Sequence, residues 1–273
     1  MPLAETYALK GLGALGRSYG PVRLWGSAAF VAGNFAAGFA ADAIPARDLI
    51  WLIVAASGLI ALAGFALQPL STAGPTAGEP SAPPGNLLHD PVFIALLAAA
   101  SLIQSSHAVF YGFSALQWHA AGLDGTAIAA LWALGVIAEI VLFAVQGRLP
   151  PFFAPTVLLM VGAFGGVLRW MVMAFDPPTF LLPWVQLLHA LSFGATHLGA
   201  LMLLVRITPA NQGATAQAYL AIALGLTMAA AMAISGVLYE DFGSRAYAAM
   251  ALVALAGGAC GFVAHRMRRD PTR

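Results

Sequence analysis

Charge is what this sequence has least of. Only 8% of its 273 residues are charged, whereas 60% are hydrophobic. Soluble domains carry roughly 25% charged residues, so this chain has too few charges to cover a water-exposed surface. Its apolar residues also come in long blocks of about 20, the length of a membrane-spanning helix, instead of alternating as in a barrel strand. We predict an all-α, polytopic helical membrane protein.

Other absences narrow the function. Cys260 is the single cysteine, which excludes an intrachain disulfide. A net charge of +1 argues against a nucleic-acid partner. The sequence contains no HExxH, CxxC or phosphate-loop pattern, no acidic or histidine cluster with metal-ligand spacing, and no evident nucleophile–base pair. We therefore expect a protein that is not an enzyme, with no cofactor and no bound metal.

The apolar blocks predict about eight spans, separated by Pro- and Gly-containing turns. They cover residues 22–43, 49–70, 91–116, 125–147, 153–175, 180–206, 213–238 and 246–265. A stretch rich in Pro, Gly, Ser and Thr follows the second span and is typical of a flexible linker. The predicted organisation is an N-terminal helical part at 1–70, a cytoplasmic linker at 71–90, and a six-helix unit at 91–273.

The distribution of Lys and Arg predicts the orientation, because cytoplasmic loops carry an excess of basic residues. If the spans alternate, one side of the membrane receives most of the basic residues outside the spans: Lys10, Arg17, Arg23, Arg148, Arg206, Arg266, Arg268, Arg269 and Arg273. The other side receives only Arg47 and Arg245. We therefore predict a multi-pass protein of a bacterial inner membrane, with its C-terminus in the cytoplasm.

Polar residues within the spans are the candidate functional residues, because a charge at membrane depth is costly and usually faces a cavity or a partner. The set comprises Glu139, Arg169, His189, His197, His107, Gln104, Tyr111 and Gln186. One interpretation is a polar cavity in which Glu139 and the histidines exchange a proton and Arg169 pairs with an anion. The other is that these side chains only hydrogen-bond between helices and fix their packing. By regular α-helical geometry His197 lies about 80° around the helix from His189.

At these positions the sequence resembles the phenylpropionate-permease family of the major facilitator superfamily. The similar segments are YGPVRLWGSAAFVAGN at 19–34, SHAVFYGFSALQWHAAG at 106–122, LWALGVIAEIVLFA at 131–144 and LLHALSFGATHLGAL at 187–201. The resemblance implies a transporter of twelve helices in two six-helix halves, using alternating access. The eight spans would then correspond to helices five to twelve, and residues 1–20 to the end of helix four. The chain would lack the counterparts of the first three helices.

In the related lactose-permease branch, a Glu on helix eight, an Arg on helix nine and a His on helix ten serve proton coupling and binding. The resemblance assigns those roles to Glu139, Arg169 and His189. That branch has a second Glu three residues after its His, where this chain has Ser192, so an identical proton route does not follow.

The resulting hypothesis is a secondary transporter that couples uptake of a small organic solute, such as an aromatic carboxylate, to the proton gradient. One alternative is a proton symporter for a sugar or nucleoside. A second is a membrane protein that does not transport by itself, because half of the cavity wall would be missing. The expected partners are the lipid bilayer and a small organic solute. The counterparts of the first helices would come either from a separately encoded N-terminal half or from a start upstream of Met1.

Overall fold

The structure is a computed structural model that describes Tyr7 and residues 20–67, 84–148, 150, 152–209 and 212–269. Within these ranges every regular element is helical. The α-helices are α1 (Gly20–Ala43), α2 (Leu49–Phe65), α3 (Pro91–Ser105), α4 (Ala108–Ala120), α5 (Gly125–Val145), α6 (Pro155–Ala174), α7 (Leu182–Leu187), α8 (Thr196–Ile207), α9 (Gly213–Phe242) and α10 (Ala246–Arg269). A π-helical segment, Ala190–Ala195, joins α7 to α8.

Six helical segments of the described chain are long and apolar enough to cross a membrane. They are Ala46–Phe65, Pro91–Ala120, Gly125–Arg148, Pro155–Ala174, Thr179–Ile207 and Gly213–Arg268. The last contains both α9 and α10, and a shorter apolar helix, Ala28–Ala43, lies within α1. The prediction of an all-α polytopic membrane protein is confirmed.

Each of the eight predicted spans overlaps one helix or one pair of consecutive helices. In the structure, α6 begins at Pro155 and α9 ends before Gly243, whose φ is +55°. The prediction for residues 1–20 lies outside the described residues apart from Tyr7 and Gly20, and so does most of the predicted linker. Of the linker, Pro84–His89 form a 3-10 helix.

The chain divides into two compact units. The first consists of residues 1–80 together with 124–133, and its described helices are α1, α2 and the beginning of α5. None of the α2 side chains is buried, and those from Ile50 to Phe65 are exposed on every face of this apolar helix. The three-part division predicted from the sequence, with boundaries near 70 and 90, remains a prediction.

The second unit consists of residues 81–123 and 134–273 and holds the main apolar core. There α10 packs against α3 and α6, while α9 packs against α3 and α6 against α8. The largest described cluster joins side chains of α3, α6, α8 and α9, including Phe93, Leu96, Leu159, Leu203 and Leu220. This core holds α3, α6, α8 and α9 together.

Two of the predicted spans are interrupted next to predicted functional residues. Ser106 and His107 separate α3 from α4. There the Ser106 hydroxyl donates to the carbonyl oxygen of Ile103 at 2.6 Å, and the His107 N–H bonds to the carbonyl of Gln104 at 3.1 Å. A side chain that competes for backbone carbonyls in this way disrupts regular helical bonding. The second interruption is the π segment that follows His189, and such segments are frequent at functional sites.

Candidate functional site

Arg169 is the centre of the candidate site. It lies on α6, its side chain is fully buried, and its guanidinium bonds to three side chains from the α7–π segment. The NH1 group lies 3.0 Å from Nδ1 of His189 and 3.4 Å from the hydroxyl of Ser192, and NH2 donates to Oε1 of Gln186 at 2.7 Å. All three partners are uncharged acceptors in these bonds. The buried cation is thus held by hydrogen bonds to neutral groups, without a charged partner among the described residues, where it faces α7 and the π segment.

His189 lies between Arg169 and Glu139. Its Nδ1 must accept, because an arginine N–H can only donate, and the neutral ring therefore carries its hydrogen on Nε2. That Nε2 is 3.6 Å from Oε2 of Glu139, whose side chain is 13% exposed. The three predicted residues form a row across α6, the α7–π segment and α5. The imidazole joins the cation to the carboxylate.

His107 extends the network in a second direction. Its Nδ1 lies 3.0 Å from the backbone carbonyl of Gln104, so Nδ1 carries the hydrogen and Nε2 accepts. The donor to Nε2 is the hydroxyl of Ser192, at 3.2 Å. Ser192 in turn accepts from Arg169, so each hydrogen bond in this branch points away from the guanidinium. In these bonds His189 carries its hydrogen on Nε2 and His107 carries one on Nδ1.

Aromatic rings surround the buried polar groups. The guanidinium carbon of Arg169 lies 4.4 Å from the ring centre of Phe110 and 4.8 Å from that of Trp170. The indole N–H of Trp170 donates to the Ser106 hydroxyl at 2.9 Å, which fixes this ring to the break between α3 and α4. Tyr111 stacks on His107 with ring centres 5.6 Å apart. These contacts stabilise the cation in an apolar environment, where cation–π attraction is strongest.

His197 continues a line of aromatic rings that starts at His189. Phe193 stacks on His189 at 5.0 Å and on His197 at 6.1 Å between ring centres. The expected rotation of 80° assumed a regular α-helix. Because the wider turns of the π segment move the following residues back around the axis, the three rings form one column.

Sequence reasoning singled out Glu139, Arg169, His189, His107 and Gln186, and the structure brings them together. Gln104 takes part through its backbone carbonyl. The sequence signalled Ser192 only as a departure from a relative's pattern, and it gave no signal for Phe110 or Phe193. Charge in an apolar span is visible in a sequence, whereas the position of a hydroxyl or a ring depends on how helices pack.

Two buried N–H donors at the centre of the site have no acceptor among the described residues. They are Nε of Arg169 and Nε2 of Gln186. The amide assignment of Gln186 is fixed, because its oxygen must be the atom that accepts from Arg169. Unpaired buried donors are costly and call for an explanation such as an absent ligand. The two residues bond to each other through Arg169 NH2 and Gln186 Oε1, and their two unpaired N–H groups are proposed to serve the two oxygens of a carboxylate.

Whether the chain could bind a metal ion depends on how its ligating side chains cluster. In the part of the chain that the structure describes, no group of three or more His, Cys, Asp or Glu side chains could hold one.

The fold and the buried polar row define a polytopic helical membrane protein. Residues 1–249 match the MFS_1 like family, and the chain belongs to that family, within the major facilitator superfamily. As a membrane-embedded protein, it contacts lipid. The suspected family relationship is thus confirmed.

Two curated relatives are similar over most of the chain. A probable 3-phenylpropionic acid transporter from Escherichia coli (strain K12) is 34% identical over 252 residues, covering 87% of this chain and 63% of the relative. A maltose permease from Geobacillus stearothermophilus is 28% identical over 243 residues, covering 88% of this chain and 61% of the relative. The chain thus spans less than two thirds of each relative's length. No solved structure matches it.

Proposed function

We propose that this chain forms part of a secondary active transporter that couples movement of a small aromatic carboxylate to movement of a proton. The observation that carries the proposal is the pair of unpartnered N–H donors on Arg169 and Gln186, beside a cation and aromatic rings. A carboxylate supplies the acceptors that these two donors lack, and an aromatic ring suits the apolar surroundings. The relative named as a probable 3-phenylpropionic acid transporter agrees with this chemistry.

The proton has a candidate binding place at Glu139. The hydrogen that His189 carries on Nε2 faces this carboxylate, so the pair is held together while Glu139 is ionised. Proton binding to Glu139 removes the negative charge and weakens that contact. A charge that appears and disappears beside the proposed anion site links the two binding events.

Replacement of Glu139 by Gln tests the coupling. The amide keeps the shape and a hydrogen-bonding group, and it cannot carry the proton. We expect Glu139→Gln to abolish uphill accumulation of labelled 3-phenylpropionate in energised membrane vesicles while exchange across de-energised vesicles continues. The matched control is Glu240→Gln, an exposed carboxylate near the end of α9. Accumulation by the Glu139 variant at the wild-type level would exclude this residue as the coupling group.

A sugar is the second candidate substrate, favoured by the similarity to a maltose permease. Sugar hydroxyls both donate and accept, whereas Arg169 Nε and Gln186 Nε2 can only donate. This donor-only pair favours the carboxylate. Competition for uptake by unlabelled 3-phenylpropionate and by maltose separates the two, and inhibition by maltose alone would replace the acid with the sugar.

We further propose that the exposed faces of α2 are covered in the working transporter by helices equivalent to the unaligned part of the relatives. All α2 residues from Ile50 to Phe65 are exposed, including Trp51 at 67% and Leu59 at 67%. These helices would belong to a longer form of this polypeptide or to a separate chain. The intact mass in the native membrane distinguishes the two cases, since this sequence accounts for 28.1 kDa. The proposed location is a bacterial inner membrane with the C-terminus in the cytoplasm.

A further inference from the structure

Asp42, near the end of α1, binds the beginning of α5. Its Oδ1 accepts from the backbone N–H of Gly125 at 2.6 Å, and its Oδ2 accepts from the backbone N–H of Thr126 at 3.2 Å and its hydroxyl at 3.3 Å. The first N–H groups of a helix have no partner within the helix and carry a partial positive charge. A carboxylate from another helix therefore stabilises this end of α5, and both groups lie in the same compact unit.

The two backbones also approach unusually closely at this point. A Cβ added at Gly38 would lie 2.5 Å from the carbonyl oxygen of Gly125 and 2.9 Å from Cβ of Ala129. A Cβ added at Gly125 would clash with the carbonyl oxygen of Gly38 and lie 2.7 Å from Oδ1 of Asp42. Neither position can accept a larger residue without separating the helices. The contact is thus a tight, specific closure between the ends of α1 and α5.

The closed end is connected to the candidate site through α5 itself. This helix runs unbroken from Gly125 to Val145 and carries Glu139. Glu139 is about 21 Å along the helix from Gly125 at 1.5 Å per residue. The Gly125 end of α5 is the one that Asp42 holds. In the proposed orientation that end faces away from the cytoplasm.

We propose that Asp42 is the latch that keeps this non-cytoplasmic end closed, and that its bonds to Gly125 and Thr126 break when the transporter opens to that side. The inference rests on the proposed transport function. Asp42 is exposed, so water can take over its hydrogen bonds when the helices part. This makes the contact strong enough to favour one state and weak enough to release in each cycle. A permanent structural cap would not be expected to separate at all.

The test is a distance measurement between two spin labels, one on α1 and one on α5, in the full-length protein in its native lipid. The labels are attached through Ala41→Cys and Ala130→Cys, both at exposed positions, in a Cys260→Ala background. Asp42→Ala removes both acceptors, and Asp42→Asn keeps one acceptor while removing the charge. The control is Asp48→Ala, since Asp48 lies on the following turn, where its contact is to Arg47 at 3.8 Å.

We expect the unsubstituted protein to show mainly the short distance. Asp42→Ala should raise the ratio of long to short distances by roughly 2- to 30-fold, the effect of losing a helix-capping group. Asp42→Asn, which is isosteric and guards against a folding failure, should lie between the two, and Asp48→Ala should leave the ratio unchanged. An unaltered ratio in both Asp42 variants would overturn the latch.

A separate measurement distinguishes this failure from failure of the proposed function. Adding 3-phenylpropionate to the unsubstituted protein should change the distance distribution, whatever the role of Asp42. If it does not, and Asp42→Ala still separates the labels, the latch stands and the proposed substrate is wrong.

Discussion

The guanidinium of Arg169 is a planar fork whose separate nitrogens donate to different acceptors, and this geometry should contribute to the stability of the fold. We expect Arg169→Lys to lower the free energy of unfolding although the charge is kept. The guanidinium donates through separate nitrogens to His189 and Gln186, at 3.0 and 2.7 Å. A lysine ammonium is a compact point charge and can serve one of these sites, so one charged hydrogen bond, worth roughly 1.5–3 kcal/mol, is lost.

The aromatic contacts add to this loss. The planar guanidinium faces Phe110 and Trp170, and replacing it with an ammonium weakens these contacts by about 0.5–1 kcal/mol. The sum is about 2–4 kcal/mol, which corresponds to a fall of roughly 4–16 °C in the midpoint of thermal unfolding. Tryptophan fluorescence in detergent micelles follows this transition, because Trp170 lies against the substituted side chain.

Arg245→Lys is the matched control, since Arg245 is exposed in the turn between α9 and α10. It should leave the midpoint unchanged. A midpoint for Arg169→Lys within 1 °C or so of wild type, far below the expected shift, would refute the role of the fork. The buried charge alone would then be what the site requires.

Two further substitutions probe the packing around this centre. Ser192→Ala leaves Nε2 of His107 without its donor and should lower the free energy of unfolding by about 1–3 kcal/mol. The same fluorescence transition measures this loss, and the control Ser57→Ala, on the exposed α2, should leave the midpoint unchanged. Equal midpoints for the two variants would contradict the network. Gly162→Ala places a Cβ against the Thr196 hydroxyl and should lower the free energy of unfolding by about 1–3 kcal/mol. The control Gly236→Ala, with nothing within 4 Å of the added atom, should not destabilise the protein. Equal stabilities of the two glycine variants would mean that α6 and α8 can separate without cost.

The helices could be predicted because membrane spans are set by length and apolarity, both of which are local properties. The fourth span, predicted at 125–147, is α5 at Gly125–Val145, and the fifth, predicted at 153–175, is α6 at Pro155–Ala174. The breaks could not be predicted in the same way. Ser106 and the π segment at Ala190–Ala195 lie within strongly apolar runs, and hydropathy does not record a changed backbone hydrogen-bond pattern.

The candidate site was predictable only in its charged members. Glu139 and Arg169 are conspicuous because a charge within a span needs a partner. In the structure His189 lies between them. That arrangement depends on the rotation of the helix carrying His189 relative to α5 and α6. Helix rotation is set by packing contacts, which a single sequence does not contain.

The order of the hydrogen bonds limits how a proton can enter the site. Since Arg169 donates to Nδ1 of His189, a second proton on that imidazole would require the bond to break. A proton arriving at the pair therefore binds Glu139 at lower cost. Arg169 then remains as an unbalanced buried cation, which is unfavourable in an apolar environment. On the proposed function, the incoming carboxylate restores neutrality, so one proton and one substrate anion bind together and the loaded site carries the same charge as the empty one.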